Sequence, residues 1–204
     1  LLSELPNAVG VGTDISEEAL EVARENAERL LRFGSSDGTD LSSPRAVFAK
    51  HDMADLVQLC KRDPNPAQSI LPSFCCPPFD LMVCNPPYLD ARKSEQYRPE
   101  MMAEPSEALY CGRRDHSGNR NGFENGNAYA AYELLAECLS RNVGLLTRSA
   151  PVVLETGAGM SSRVRSFLEN GGFEVGNLVE DRIGCDRVLV LRKGNNLEQN
   201  TCKS

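Results

Sequence analysis

Phe79-Asp80-Leu81-Met82-Val83-Cys84-Asn85-Pro86-Pro87-Tyr88 is an apolar run that ends on a polar, proline-locked tetrapeptide. The run Phe79 to Cys84 reads as a buried strand that delivers Asn85 to a site. An asparagine at the carboxyl end of a strand offers a side-chain carbonyl as acceptor. Pro86 supplies a backbone carbonyl without an N–H, and the Pro86-Pro87 pair restricts the backbone that carries both acceptors. Together they can accept both hydrogens of a planar –NH2 group, with Tyr88 as an aromatic wall. Such an arrangement suits methylation of an amide or exocyclic amine nitrogen. The competing reading is a proline turn that merely closes a strand.

Outward from this stretch, strands and helices alternate. Ala8 to Thr13 reads as a short buried strand ending at Asp14. Ser16 then supplies an N-cap, with Glu17 and Glu18 in a first turn where the helix dipole favours acids. Leu20, Ala23, Ala27, Leu30 and Leu31 form one apolar face, and Gly34 lies just past the end. Val47 to Ala49 predicts a second strand leading to Asp52, followed by a helix from Ala54 to Lys61. Beyond Tyr88 the pattern predicts a helix over Tyr129–Arg141, a strand over Pro151–Glu155 and a helix over Ser162–Glu169 ended by Gly171-Gly172. Phe173–Val179 and Arg187–Leu191 close the chain as an antiparallel hairpin. Interleaved strands and helices predict a three-layer α/β sheet. Three stretches, Gly34–Pro44, Arg62–Pro78 and Gly112–Gly126, read as surface insertions, and the polar tail begins at Gly194.

In open α/β sheets ligands bind outside the carboxyl ends of strands. Asp14, Asp52 and Asn85 each stand at or just past such an end, so they are expected to converge on one crevice. Asp14 could accept both hydroxyls of a ribose, with Ile15 as an apolar surface for a flat base. Asp52 could accept the amino group of an adenine, with Met53 packed on the ring. For each aspartate the alternative is a turn or capping role.

Composition narrows the function classes. The chain has 204 residues, 41% hydrophobic and 25% charged, enough for one domain with a sizeable core. A net charge of −7 argues against a strong, sequence-independent grip on nucleic-acid phosphates and favours a protein or small-molecule substrate. No apolar run approaches membrane-spanning length. The eight cysteines contain no CxxC pair and there are only two histidines, His51 and His116, so zinc-ligand spacing is absent and reduced cysteines in a reducing compartment are expected.

These residues resemble the class I, S-adenosylmethionine-dependent methyltransferases of the HemK type, the release-factor glutamine N5-methyltransferases. Asn85-Pro86-Pro87-Tyr88 matches that family's substrate tetrapeptide, and Asp14-Ile15 and Asp52-Met53 fall where it contacts ribose and adenine. Glu104-Pro105-Ser106-Glu107-Ala108-Leu109 is similar to its E-P-x-x-A-L segment. Leu154-Glu155-Thr156-Gly157 is similar to its L-E-x-G, and Asp181 to Val188 to its D-x-x-G-x-D-R-V closing hairpin. The resemblance implies S-adenosyl-L-methionine as cofactor, held by Asp14, Ile15, Asp52, Met53 and Asn85. It implies a release-factor glutamine as substrate, held by Asn85, Pro86, Pro87 and Tyr88, with Asn85, Pro86 and Tyr88 as the catalytic set. No metal is implied, and the location would be cytoplasmic or organellar, in a mitochondrion or plastid.

The chain also departs from the family. The Gly-rich loop that wraps the cofactor's methionine has no counterpart, and Gly10-Val11-Gly12 lies inside a strand and does not supply it. Leu1 to Pro6 is similar to the end of the helix that follows that loop, and a glutamine often found in the L-E-x-G stretch is Met160. The fold expected is therefore a Rossmann-like class I methyltransferase sheet with a carboxyl-terminal antiparallel hairpin, its first strand and Gly-rich loop missing. Residues 1–193 would form a partial catalytic domain and 194–204 a polar tail. Loss of a central strand would leave two open sheet edges and a weak cofactor site. Rival readings are methylation of a ribosomal-protein glutamine, methylation of an exocyclic amine in nucleic acid, and a non-catalytic fragment acting as an interaction module. A dinucleotide-binding oxidoreductase would use an acid such as Asp14 but leaves the tetrapeptide without a role.

Overall fold

Residues 1–32, 45–56, 71–97, 99–111, 113–114, 120–121, 127–141 and 144–194 are described by the structure, a computed structural model. The chain forms two compact units, Leu1–Pro78 and Phe79–Ser204. In chain order the first unit holds β1 (Gly10–Asp14), α1 (Glu17–Arg32) and β2 (Ala46–Lys50). The second holds β3 (Met82–Cys84), the single helical turn α2 (Ser106–Leu109), a ribbon of β4 (Arg113–Arg114) and β5 (Arg120–Asn121), and α3 (Ala130–Arg141). It continues through β6 (Val152–Glu155), α4 (Ser161–Asn170), β7 (Phe173–Glu180) and β8 (Asp186–Lys193). The insertion at 34–44, Gly34 as helix stop, residues 57–61 of the expected Ala54–Lys61 helix and the tail past Gly194 lie outside the described residues, as does most of Gly112–Gly126.

In the first unit β1 and β2 pair in parallel, with Gly12 opposite Phe48 and Asp14 opposite Lys50. Gly12 is a packing glycine, because a Cβ there would sit 2.7 Å from the Phe48 ring. Ahead of β1, Leu5 N–H donates to the Leu1 carbonyl, and Arg45 donates to the Leu2, Leu5 and Ala8 carbonyls. One guanidinium thus closes the end of an amino-terminal turn onto the start of β2. Ser16 caps α1 as expected, its Oγ accepting the Ala19 N–H at 3.1 Å.

Two expectations need correction here. β1 was expected to be buried, yet Gly10, Val11 and Gly12 are only half-buried and Thr13 and Asp14 are exposed. Its glycines bury no side chain, and β2 is its only strand partner among the described residues. The apolar face of α1 also runs out: Leu20 is 2% exposed but Leu30 is 58% exposed. A helix of 16 residues is about 24 Å long. Strands of five residues span about 17 Å, so the last turns of α1 overrun them.

The second unit carries a four-stranded sheet in the order β3-β6-β8-β7. β3 is parallel to β6, whereas β8 is antiparallel to both β6 and β7. The α/β architecture with a closing antiparallel hairpin is thus as the sequence predicts. Its core lies between this sheet and helices α3 and α4, where Leu135, Leu139, Val152, Leu154, Val164, Leu168, Leu189 and Leu191 are at most 1% exposed. The strand expected over Phe79–Cys84 is shorter. Phe79 makes a lone parallel bridge with Leu146, and regular pairing starts only at Met82. Val83 is 62% exposed, because β3 is an edge strand in this sheet and only alternate side chains reach the core.

The hairpin turn is closed by one carboxylate. Asp181 Oδ1 accepts the Ile183 and Cys185 N–H groups, each at 3.0 Å, and Arg187 Nε donates to Oδ2 at 3.0 Å. Gly184 takes φ +76°, a left-handed conformation that glycine adopts without strain. The Cys185 amide, and after it Arg187, holds the Asp181 carboxyl below its ordinary value. The stability this contributes is present above the ordinary aspartate range and is lost as pH falls through the lowered value. Among the described residues no helix is long and apolar enough to cross a membrane, and no three metal-ligating side chains cluster.

Candidate active site

Asp14 and Asp52 occupy equivalent places in the first unit. Asp14 ends β1, and its Oδ1 accepts the Ser16 N–H at 2.8 Å. Asp52 follows β2, and its Oδ1 accepts the Ala54 N–H at 2.9 Å at the head of a short 3-10 turn, Met53–Asp55. Parallel pairing brings the two strand ends side by side, and the His51 N–H donates to the Asp14 carbonyl at 2.9 Å. Both aspartates therefore do close a turn. A carboxylate has two oxygens with about four acceptor directions, so the turn bond on Asp14 Oδ1 is compatible with a ligand on its other oxygen. Asp14 is exposed, while Ile15, Asp52 and Met53 are half-buried.

In the second unit the tetrapeptide follows β3 directly. Asn85 is exposed, Pro86 is buried, and Pro87 and Tyr88 are half-buried. The exit from the motif is fixed by Leu89, whose N–H donates to the carbonyl of Leu109 at 3.0 Å. Leu109 is the last residue of the Glu104–Leu109 segment, which folds as α2 at its end. Next, the nearly buried Asp90 takes Arg92 in a two-pronged pair, Nε at 2.8 Å and Nη2 at 2.7 Å. Cys84, just before the motif, is no candidate nucleophile, because burial pushes its thiol up to about 12.

Three residues absent from the predicted site stand beside it. Tyr88 Oη donates to Glu155 Oε1 at 3.3 Å, across 67 residues of sequence. Tyr132, fully buried on α3, donates to the Glu155 carbonyl at 3.2 Å. Burial raises the Tyr132 hydroxyl far above its ordinary value. Arg187 extends the group: its carbonyl accepts the Thr156 N–H at 2.8 Å, and its charge faces Tyr88. The tetrapeptide, the E-P-x-x-A-L segment, the L-E-x-G strand end and the closing hairpin are thus tied together by hydrogen bonds. Only their shared resemblance to one family signals this in the sequence.

Thr156 is the odd member. It is completely buried, and its Oγ1 has no hydrogen-bond partner among the described residues. An unsatisfied buried hydroxyl costs about 1–3 kcal/mol. Thr156→Val, which keeps the shape, is therefore expected to raise stability by about 1 kcal/mol in denaturant unfolding. A loss of stability would mean that the hydroxyl has a partner in solution.

The second unit thus places Asn-Pro-Pro-Tyr at the end of a strand, on an α/β sheet closed by an antiparallel hairpin, as the resemblance to class I methyltransferases leads one to expect. The chain is homologous along nearly its whole length to release factor glutamine methyltransferases. A protein of that name from Rhodospirillum rubrum is 29% identical over 194 residues, 95% of this chain and 46% of the relative. Another, from Caulobacter vibrioides, is 31% identical over 191 residues, 93% of this chain and 51% of the relative. A bifunctional methyltransferase from Rickettsia bellii is 26% identical over 192 residues, 94% of this chain and 27% of the relative. The chain thus spans about half the length, or less, of these curated relatives. No family model matches it. Among solved structures, the pyocyanin biosynthetic protein PhzM is similar at TM-score 0.45 and 16% identity over 94% of this chain and 45% of its own, too loosely to carry weight.

Proposed function

We propose that this chain carries the substrate-methylating part of an S-adenosylmethionine-dependent enzyme whose acceptor is the side-chain amide of a glutamine in a peptide-chain release factor. The observation that carries the reading is the Asn85–Tyr88 motif at the end of β3, with an exposed Asn85, a buried Pro86 and a Tyr88 ring braced from β6. The names of the relatives support the same substrate.

An amide nitrogen is a weak nucleophile because its lone pair is delocalised into the carbonyl. Asn85 Oδ1 and the Pro86 carbonyl accept its two hydrogens and turn the nitrogen toward the incoming methyl. Positioning of this kind supplies several kcal/mol, with about 7–11 as the upper range for well-aligned reactants. The same two acceptors stabilise positive charge growing on nitrogen. S-adenosylmethionine, when bound, supplies a sulfonium methyl. Asp14 and Ile15 would hold its ribose and base, and Asp52 and Met53 its adenine. No strong base is required, since the proton leaves after transfer. Tyr88 forms the wall against which the planar amide lies.

Asp14→Ala in the longest natural form of the protein is expected to weaken binding of S-adenosylhomocysteine by about 1.5–3 kcal/mol, the size of a lost charge-assisted pair of bonds. Titration calorimetry checks this, and an unchanged dissociation constant would leave Asp14 with its turn role alone. For the activity itself, transfer of labelled methyl is expected to a release factor and not to one whose acceptor glutamine is replaced. Equal labelling of the two would refute the substrate assignment.

A further inference from the structure

Tyr88 is held at two points within the second unit, by a carboxylate at its hydroxyl and by backbone against its ring. Its hydroxyl reaches Glu155 Oε1 at 3.3 Å, long for a hydroxyl–carboxylate bond, so that contact alone would hold the ring loosely. Gly157 supplies the rest. A Cβ built there would lie 3.0 Å from Tyr88 Cδ2 and 2.5 Å from Met160 Sδ, so the ring rests directly on the backbone that follows Glu155. That backbone is itself fixed. Glu155 pairs with Val188 across β8, its carbonyl accepts the Tyr132 hydroxyl, and the next amide is bonded to the Arg187 carbonyl.

We propose that Glu155 is a positioning residue for the methyl acceptor: its carboxylate and the glycine two residues on clamp the Tyr88 ring in the one orientation that walls the amide held by Asn85 and Pro86. The clamp rests on the functional reading above for its consequence, but not for its existence. It gives a role to a carboxylate at this strand end to which the reaction proposed above assigns none. Charged groups facing the Tyr88 hydroxyl are Glu155 from β6, Arg187 from β8 and Glu104 from the segment before α2. Burial is the first cause of the raised Tyr88 value and the Glu155 charge the second, while Arg187 opposes them. Removing the Glu155 charge must therefore bring the Tyr88 titration down.

3-Fluorotyrosine labelling followed by fluorine NMR follows the tyrosine titrations, and the signal lost in Tyr88→Phe assigns that of Tyr88. In the longest natural form of the protein, Glu155→Gln is expected to move the Tyr88 titration to lower pH without changing its thermal melt. In transfer assays on a release factor, Tyr88→Phe and Glu155→Ala are each expected to lower kcat/KM about tenfold, the effect of one positioning bond. The double variant should be no worse than the worse single one, because both remove the same contact. Cofactor affinity should stay unchanged in all three. An unmoved Tyr88 titration would overturn the clamp, and so would losses that multiply in the double variant. A parent protein that methylates no release factor, yet shows the fall in titration, would keep the clamp and sink the release-factor reading.

Discussion

Asn85→Ala is expected to lower methyl transfer by at least about a hundredfold, the scale of removing one preorganised polar group from a transition state. Most of the cofactor affinity should remain. Asn85 lies at the mouth of the motif with an exposed side chain, so the truncation leaves no cavity and the fold should survive. The loss then belongs to chemistry, because an amide anchored by one acceptor can rotate its lone pair away from the methyl. Single-turnover transfer and a separate binding titration distinguish the two effects. Near-normal turnover would remove the central step of the mechanism.

Leu154→Ala is expected to produce the largest loss of stability. Leu154 is fully buried on β6, a strand flanked on both sides, by β3 and β8. Deleting a buried leucine side chain costs about 2–5 kcal/mol, with the upper part of that range where neighbours cannot collapse into the space. Leu154 pairs with Cys84 on one side and Leu189 on the other, so strand pairing resists such collapse. Glu155 follows directly, and loosening β6 should also release Tyr88. Denaturant unfolding checks the first effect. A change below about 1 kcal/mol would mean that the packing around β6 is much looser than described.

How far the residues announced this arrangement depends on the range of the interactions. Local signals were reliable. Ser16 was legible as an N-cap because its partner, Ala19, is three residues away, and Gly171-Gly172 marked the end of α4 for the same reason. The closing hairpin followed from two alternating runs around a turn that Asp181 closes with its own neighbours. Burial was less legible. Phe79–Cys84 and Ala8–Thr13 look alike as apolar runs, yet an apolar run does not state how many strands flank it, and Val83 and Thr13 prove exposed. α2 was not separated from its surroundings because one turn of helix has no periodicity to detect.

The candidate site shows the same division. Asn85–Tyr88 could be read because the four residues carry their chemistry contiguously. Asp14 and Asp52 were equally visible as acids at strand ends, but their turn bonds to Ser16 and Ala54 show that the modest reading of each is true as well. Tyr132 and Glu155 escaped because their value is relational. Tyr132 lies in an ordinary amphipathic helix, and Glu155 meets Tyr88 only once β6 has paired with β3.

Mass spectrometry of a release factor, purified unmethylated and incubated with the longest natural form of the protein and S-adenosylmethionine, tests the central claim most directly. Fragmentation is expected to place a single methyl group on the side-chain nitrogen of one glutamine, and Asn85→Ala should leave that peptide unmodified. A methyl group found on another residue type, on nucleic acid, or nowhere would contradict the account.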